Sequence, residues 1–140
     1  MFYLDSSVVV AALTAEDHTP RAQQWAAQAS KGIVFISDWV SAEVSAALTA
    51  KLRNRDLTES LWREALESYR ALGNTSFARL PIRRASFEQA ARLVELSRRP
   101  LSAGDALHLA LAKHHEVVLA TLDRRQADAA AALGIAAELI

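Results

Sequence analysis

Four acidic residues interrupt apolar sequence where a predicted strand gives way to a helix, or where a predicted helix meets the sheet. They are Asp5, Glu43, Asp105 and Asp123. A carboxylate in apolar surroundings is costly unless a partner binds it. Four carboxylates from distant parts of the chain, gathered at one edge of a sheet, would provide the oxygen ligands that hard divalent cations prefer. The pattern therefore points to metal-dependent chemistry on phosphodiester bonds.

Each acid also has a simpler structural explanation. Asp5 and Asp123 directly precede predicted helices and are suited to cap them, and Asp105 follows Ser102 at the spacing of a capping box. Glu43 fits this explanation less well, because helical spacing puts it on the apolar face of its helix. Taken together, one acidic cluster explains the four residues better than four coincidental caps do.

Other candidate catalytic features are weaker. His108 lies one turn beyond Asp105, but a single histidine on an apolar helix is usually a hydrogen-bonded core residue. The chain has no histidine pair of the HExxH type, no glycine-rich phosphate loop and no nucleophile-elbow pattern. Most arginines are predicted to be solvated surface residues. Arg124 and Arg125 differ, because they directly follow Asp123 and are predicted to border the acidic crevice and bind a substrate phosphate.

The bulk composition is that of one globular domain spanning residues 1–140. The formal net charge is zero, so any nucleic-acid binding must rely on local basic patches. The absence of cysteine excludes a disulfide framework, a thiolate nucleophile and Cys-ligated zinc. No signal-peptide pattern is present, and no apolar run approaches the ~20 residues of a spanning helix. We therefore expect a cytoplasmic protein with no membrane partner.

Strands and helices are predicted to alternate along the chain. The predicted strands are Phe2–Leu4, Ile33–Ile36, Phe77–Leu80, Val117–Thr121 and, more weakly, Ile135–Leu139. The predicted helices are Ser6–Ala15, Thr19–Ser30, Asp38–Arg53, Thr58–Leu72, Arg83–Arg98, Ser102–His115 and Arg124–Leu133. Alternation of this kind indicates crossover connections, hence an α/β fold with a mainly parallel sheet covered on both faces. In such sheets the functional crevice lies beyond the carboxyl ends of the strands, where Asp5 and Asp123 fall.

The chain resembles the PIN-domain nucleases, and within them the VapC-like toxins of bacterial toxin–antitoxin pairs. The resemblance rests on four segments in the family's order, which together cover nearly the whole chain: Tyr3-Leu-Asp-Ser-Ser7, Ser41-Ala-Glu-Val44, Ser102-Ala-Gly-Asp-Ala-Leu-His-Leu-Ala110 and Ala120-Thr-Leu-Asp-Arg-Arg125. It implies an α/β/α sandwich around a five-stranded parallel sheet in the order 3-2-1-4-5. It also implies Mg²⁺- or Mn²⁺-dependent cleavage of RNA and neutralisation by an antitoxin that occupies the groove near the site.

The resemblance further implies roles for individual residues. The acidic quartet that binds the metal and carries catalysis consists of Asp5, Glu43, Asp105 and Asp123, with Asp5 and Asp105 the principal ligands. Ser7 stands where relatives often have Asn and keeps a hydrogen-bonding side chain, while the Thr121 hydroxyl would support the loop that carries Asp123. Gln126 falls near a position where many relatives have an aromatic residue. We also expect the protein to form a homodimer.

The sequence thus predicts a metal-dependent endoribonuclease. One or two cations would lower the pKa of a water and neutralise charge on the scissile phosphate, and in-line attack would leave a 3′-hydroxyl and a 5′-phosphate. Glu43 or Asp123 would orient the water or complete a second metal site; both assignments stay open. Mutual repulsion should raise the pKa of at least one of the four acids when no metal is bound.

There are two alternatives to a nuclease. The first is a non-catalytic PIN-like module that binds RNA or a protein, against which the retention of all four carboxylates argues. The second is a phospho-receiver domain, which shares the parallel α/β architecture and an acidic pocket. It is disfavoured because Pro81 closes the third strand and no lysine follows Lys113.

Overall fold

The structure is a computed structural model that describes all of residues 1–140. Its strands are β1 (Phe2–Leu4), β2 (Val34–Ile36), β3 (Ala78–Arg79), β4 (Val118–Thr121) and β5 (Ala137–Leu139). Its helices are α1 (Ser6–Leu13), α2 (Thr19–Ala29), α3 (Asp38–Arg53), α4 (Glu59–Thr75), α5 (Arg84–Leu96), α6 (Ala103–His114) and α7 (Arg124–Ala132). All twelve predicted elements are present. No helix has the length and apolar character needed to cross a membrane.

The five strands form a single parallel sheet in the order β3-β2-β1-β4-β5, which confirms the predicted topology. The central strand β1 pairs with β2 on one side and with β4 on the other, so that Tyr3 lies beside Phe35 and Leu119. Parallel strands require crossover connections, and all of them therefore end at the same edge of the sheet. The residues that follow β1 and β4 are brought together at that edge.

Helix α6 is the most deeply buried helix of the protein. Every residue from Ala106 to Ala112 is buried, which matches a sequence that is apolar nearly all round. The helix packs mainly against α5 and also contacts β4. Burial of these seven residues fixes α6 against α5 and the sheet, and its first turn carries Asp105.

Most predicted boundaries differ from the structure by one or two residues, and two of the differences have an identifiable context. Helix α4 was expected to end at Leu72, before a glycine, but it continues to Thr75 with Gly73 buried inside it. A Cβ on Gly73 would lie 3.6 Å from Nη2 of Arg79, which is an ordinary contact distance, so packing does not require a glycine here. The stop signal that glycine normally gives is not used, because Gly73 keeps helical backbone within α4. Strand β3 pairs over only two residues, because a proline follows it closely.

Candidate active site

Asp5 directly follows β1 and caps helix α1. Its Oδ2 accepts hydrogen bonds from the Ser7 backbone N–H at 3.4 Å, from the Ser7 hydroxyl, and from the Thr121 hydroxyl at 3.0 Å. The side chain is only 9% exposed, so these donors stabilise a carboxylate that solvent hardly reaches. The capping role and membership of an acidic site are therefore compatible at this position.

Two hydroxyls connect Asp5 to the loop between β4 and α7. The Ser7 hydroxyl, which donates to Asp5, accepts the Leu122 N–H at 3.1 Å. The Thr121 hydroxyl, which also donates to Asp5, accepts the Asp123 N–H at 2.9 Å. Each hydroxyl fixes one acid and one backbone amide of the loop, which is the kind of contact that a supporting role requires.

His108 lies between Asp5 and Glu43. Its Nε2 is 2.7 Å from Oε2 of Glu43 and 3.3 Å from Oδ1 of Asp5, and the residue has no exposed surface. Carboxylates only accept hydrogen bonds, so this ring nitrogen carries a proton. One potential ligand atom of each of the three residues lies within 4.8 Å of the other two.

The second nitrogen of His108 is also satisfied. Nδ1 lies 2.9 Å from the Tyr3 hydroxyl, which is itself 2.8 Å from the Ser37 hydroxyl. Burial raises the pKa of the Tyr3 phenol well above its ordinary value, so the phenol keeps its proton and donates to Nδ1. The prediction of a hydrogen-bonded core histidine is confirmed, but sequence reasoning missed that its partners are two of the four acids.

The electrostatics of Glu43 follow from this contact. Burial raises the pKa of the Glu43 carboxyl, but the hydrogen bond from His108 and its electrostatic attraction outweigh that effect. The pKa of Glu43 is therefore lowered from its ordinary value of 4.5. The rise expected from carboxylate repulsion does not occur at this residue, because a buried donor lies between it and Asp5.

Asp105 lies in the first turn of α6. Its Oδ2 accepts the Ser102 hydroxyl at 2.7 Å, and the Ser102 oxygen accepts the Asp105 N–H in return. Gly104 brings this turn close to Glu43: a Cβ on Gly104 would lie 3.3 Å from Oε1 of Glu43 and 3.4 Å from the Trp39 ring. The start of α6 therefore borders the group formed by Asp5, Glu43 and His108.

Asp123 caps α7 by accepting the backbone N–H groups of Arg125 at 2.7 Å and Gln126 at 3.4 Å. The buried Gln126 side chain in turn donates from Nε2 to Oδ1 of Asp105, at 3.4 Å. Gln126 thus joins Asp105 to Asp123, and its own Oε1 has no hydrogen-bond partner. Neither of these two acids contributes an atom to the group around His108.

The four predicted acids therefore occur as two linked pairs. His108 connects Asp5 to Glu43, Gln126 connects Asp105 to Asp123, and Thr121 joins the two pairs through Asp5 and the Asp123 amide. Sequence reasoning flagged Gln126 only as a departure from an aromatic position, and no local signal marked it as a bridge. The predicted substrate-binding residues Arg124 and Arg125 are exposed beside Asp123, with Nε of Arg125 3.9 Å from Oδ1 of that acid.

This donor set suits a hard divalent cation. It offers carboxylate oxygens, which Mg²⁺ and Mn²⁺ prefer, whereas the one imidazole nitrogen near them is occupied by its proton. Solvent access increases across the site, from 9% of the Asp5 side chain to 27% for Glu43 and 36% for Asp123. The site therefore has an enclosed end at Asp5 and an end open to solvent at Asp123.

Solved structures share the fold over the full chain. The sarcin-ricin loop cleaving toxin VapC20 of Mycobacterium tuberculosis is 20% identical, with a TM-score of 0.73 over 100% of this chain and 98% of that one. VapBC2 of Rickettsia felis, bound to a promoter DNA fragment, is 15% identical, with a TM-score of 0.72 over 99% and 98%. FitAcB of Neisseria gonorrhoeae is 18% identical, with a TM-score of 0.66 over 98% and 96%.

Comparison with curated proteins found none that is significantly similar. At 15–20% identity the solved structures establish a common fold and no more. The sequence itself carries the stronger finding, since the model of the PIN domain matches residues 2–132. This match covers every strand but the last and all four acids, and it shows that the chain belongs to the PIN domain family.

Proposed function

We propose that this protein is a metal-dependent endoribonuclease that hydrolyses RNA phosphodiester bonds and acts as the toxin of a toxin–antitoxin pair. The observation that carries the proposal is that four carboxylates lie at the carboxyl edge of the sheet as two linked pairs, Asp5 with Glu43 and Asp105 with Asp123. Membership of the PIN domain family supports the reaction class. The structural similarity to VapC20, a toxin that cleaves the sarcin-ricin loop, supports the choice of RNA.

The four acids would together hold Mg²⁺ or Mn²⁺, with Asp5 and Asp105 as principal ligands. When bound, the cation supplies Lewis acidity: it acidifies a water and neutralises charge on the scissile phosphate. The protein must keep like charges adjacent before the cation arrives. Two carboxylates about 5 Å apart repel by roughly 3 kcal/mol at an effective dielectric near 20. The Nε2–H of His108 reduces this repulsion by donating to Glu43 while lying 3.3 Å from Oδ1 of Asp5.

The site residues would position the ligand carboxylates and the attacking water. Thr121 and Ser7 hold Oδ2 of Asp5, so this carboxylate cannot rotate freely when substrate binds. Glu43 stays ionised at neutral pH because its pKa is lowered, and Oδ2 of Asp123 accepts no hydrogen bond within the protein. Either acid can orient the attacking water. Hydrolysis by water would leave a 3′-hydroxyl and a 5′-phosphate.

Substrate and partner follow from the surface around the site. The exposed Arg124 and Arg125 would bind phosphates on either side of the cleaved bond. A cognate antitoxin is proposed as the protein partner, in line with the similar structures of VapBC2 and FitAcB. We also propose a homodimer located in the cytoplasm.

The proposal is tested by cleavage of single-stranded RNA with Mg²⁺, with Mn²⁺ and with a chelator. Asp5→Asn and Asp105→Asn each remove a charged ligand but keep the shape of the side chain. Both should reduce cleavage at least a hundredfold while the circular dichroism spectrum stays unchanged. Asp56→Asn is the matched control, because Asp56 is exposed and its carboxylate has no partner.

Cleavage by either purified ligand variant at the wild-type rate would overturn the assignment of the site. Absence of cleavage by the wild-type protein, with metal binding intact, would instead favour a module that binds RNA or protein without cutting. Growth arrest on expression, relieved by the cognate antitoxin, would support the toxin role. Harmless expression of an active nuclease would leave a housekeeping role as the better explanation.

A further inference from the structure

A cavity of about 470 Å³ lies between the start of α5 and the end of α6. Its size falls within the range of ~300–1,000 Å³ that is usual for ligand sites. The polar residues that line it are Arg83, Ser86, Gln89, Lys113, His114 and His115. His114 is nine residues beyond Asp105, about 14 Å along α6, and no residue of the acidic site lines the cavity.

The cavity wall is basic, although the protein as a whole has no net charge. Arg83, Lys113, His114 and His115 line it, and no acidic side chain does. None of these four residues forms an ion pair, whereas the adjacent Arg84 pairs with Glu88. The pKa of His115 is lowered by burial and by the charges of His114 and Arg83, which is the electrostatic sign of cationic groups gathered without an anion.

Two further donors at the cavity lack partners. The Ser86 hydroxyl accepts the Arg83 N–H at 3.2 Å, but no side chain accepts an N–H from the first turn of helix α5, whose N–H groups and helix dipole favour a negative charge there. Independently, Nε2 of His115 is shielded from solvent and has no hydrogen-bond partner. A shielded polar nitrogen without a partner is costly, and turning the His115 ring toward an oxygen ligand in the cavity would supply the missing bond.

We propose that this cavity is an anion site that binds a phosphate group. Arg83 offers the planar fork of donors that suits phosphate, Lys113 adds a compact charge, and the imidazoles and the α5 N-terminus complete the cradle. The phosphate would come from an RNA backbone or from a small phosphorylated molecule such as a nucleotide. The site needs neither the acidic residues nor a metal, so it stands or falls independently of the nuclease assignment.

The test is a titration with inorganic phosphate at constant ionic strength, followed through the NMR signals of the imidazole rings. The chain has four histidines, and His18 and His108 lie outside the cavity and serve as internal references. The signals of His114 and His115 should shift together and saturate, and the pKa of His115 should rise on binding. The signals of His18 and His108 should stay in place.

The variant Arg83→Ala/Lys113→Ala should weaken phosphate binding at least about tenfold, since each charged donor contributes to the anion's hydrogen bonds. Both residues are exposed, and unchanged His108 signals would verify that the variant is folded. Lys31→Ala/Arg70→Ala is the matched control, because it removes the same two charge types from exposed positions outside the cavity. The proposal is overturned if His114 and His115 respond no more than His18, or if both double variants bind phosphate equally.

The source of the phosphate is distinguished by two parallel titrations with a chelator present, so that RNA is not cleaved. One uses a nucleoside 5′-monophosphate and the other a short single-stranded RNA without terminal phosphates. Saturation of the His115 shift at a lower concentration of RNA identifies a backbone phosphate as the ligand. Saturation at a lower concentration of the monophosphate identifies a small phosphorylated molecule.

Discussion

His108 contacts Asp5 and Glu43 through one ring nitrogen and Tyr3 through the other. The ring is fully buried beside the two acids, so its effect on cleavage would act through them. A buried histidine held in this way also contributes to stability. The effects on cleavage and on stability can be separated, because another side chain can supply an N–H donor without supplying the imidazole ring.

We expect His108→Leu to reduce cleavage at least tenfold and to raise the Mn²⁺ concentration for half-maximal rate, because the paired carboxylates lose their common donor. His108→Gln keeps an N–H donor near the position of Nε2 and should recover part of both values. The measurement is the cleavage rate as a function of Mn²⁺, together with the melting temperature. Equal losses of activity in both variants, at equal stability, would mean that the donor does not position the acids.

At Gln126 a substitution can weaken metal binding without lowering the stability of the protein. Gln126→Leu removes the hydrogen bond to Asp105 and also removes a buried amide oxygen that has no partner. Stability should stay level or rise by about 1 kcal/mol, because the orphaned oxygen no longer costs free energy. The Mn²⁺ concentration for half-maximal cleavage should increase, because Asp105 is less firmly held. Parallel loss of stability and metal affinity would assign Gln126 a purely structural role.

Helix α6 brings its first turn against Glu43 at a position without a side chain. In Gly104→Ala the new methyl group would meet Oε1 of Glu43 at 3.3 Å, so that carboxylate must shift. Alanine favours the helix by up to about 1 kcal/mol, which offsets the crowding in the free energy of unfolding. Cleavage should fall severalfold while the melting temperature changes little.

Gly73→Ala is the control for this prediction. Gly73 also lies inside a helix and next to a polar side chain, with 3.6 Å between its Cβ position and Nη2 of Arg79, but none of the four acids lies within 4 Å of that position. It should keep wild-type cleavage. If Gly104→Ala cleaves as fast as Gly73→Ala, the close approach of α6 to Glu43 does not matter for activity.

The charge state of Glu43 links the site to the stability of the whole domain. Its pKa is lower in the folded state than in the unfolded chain, so it contributes stability above the ordinary value of 4.5 and loses that contribution as pH falls through the folded pKa. The free energy of unfolding of Glu43→Gln should therefore lie below that of the wild type at pH 6. The gap should narrow between pH 4.5 and more acidic conditions in urea denaturation. A gap that does not change with pH would exclude this linkage.

Metal binding should stabilise the folded domain by mass action. At neutral pH and a hundredfold excess over its dissociation constant, Mn²⁺ should add about 2.7 kcal/mol, because the unfolded chain has no assembled site. Asp105→Asn should show little of this effect. Melting curves with a chelator and with Mn²⁺ measure the difference. An equal Mn²⁺ shift in wild type and variant would show that Asp105 is not a ligand.

Several features were readable from short stretches of sequence. Asp5, Asp123 and the Ser102–Asp105 pair are helix caps, and the structure shows each of them in that position. Capping depends on residues two or three positions apart, so a local pattern is sufficient to predict it. The alternation of strands and helices likewise predicts a parallel sheet, because parallel pairing requires crossover connections. The sheet order came from the family resemblance.

Other features arise only when the elements pack. His108 meets Glu43 across 65 residues and Tyr3 across 105, and Arg83 and His115 line one cavity from two helices. Gly73 lies buried inside a helix that its residue type should end. Such contacts depend on the angle and register between helices and sheet. Hydrophobic periodicity specifies which face is buried, but not which polar side chains on two buried faces will meet.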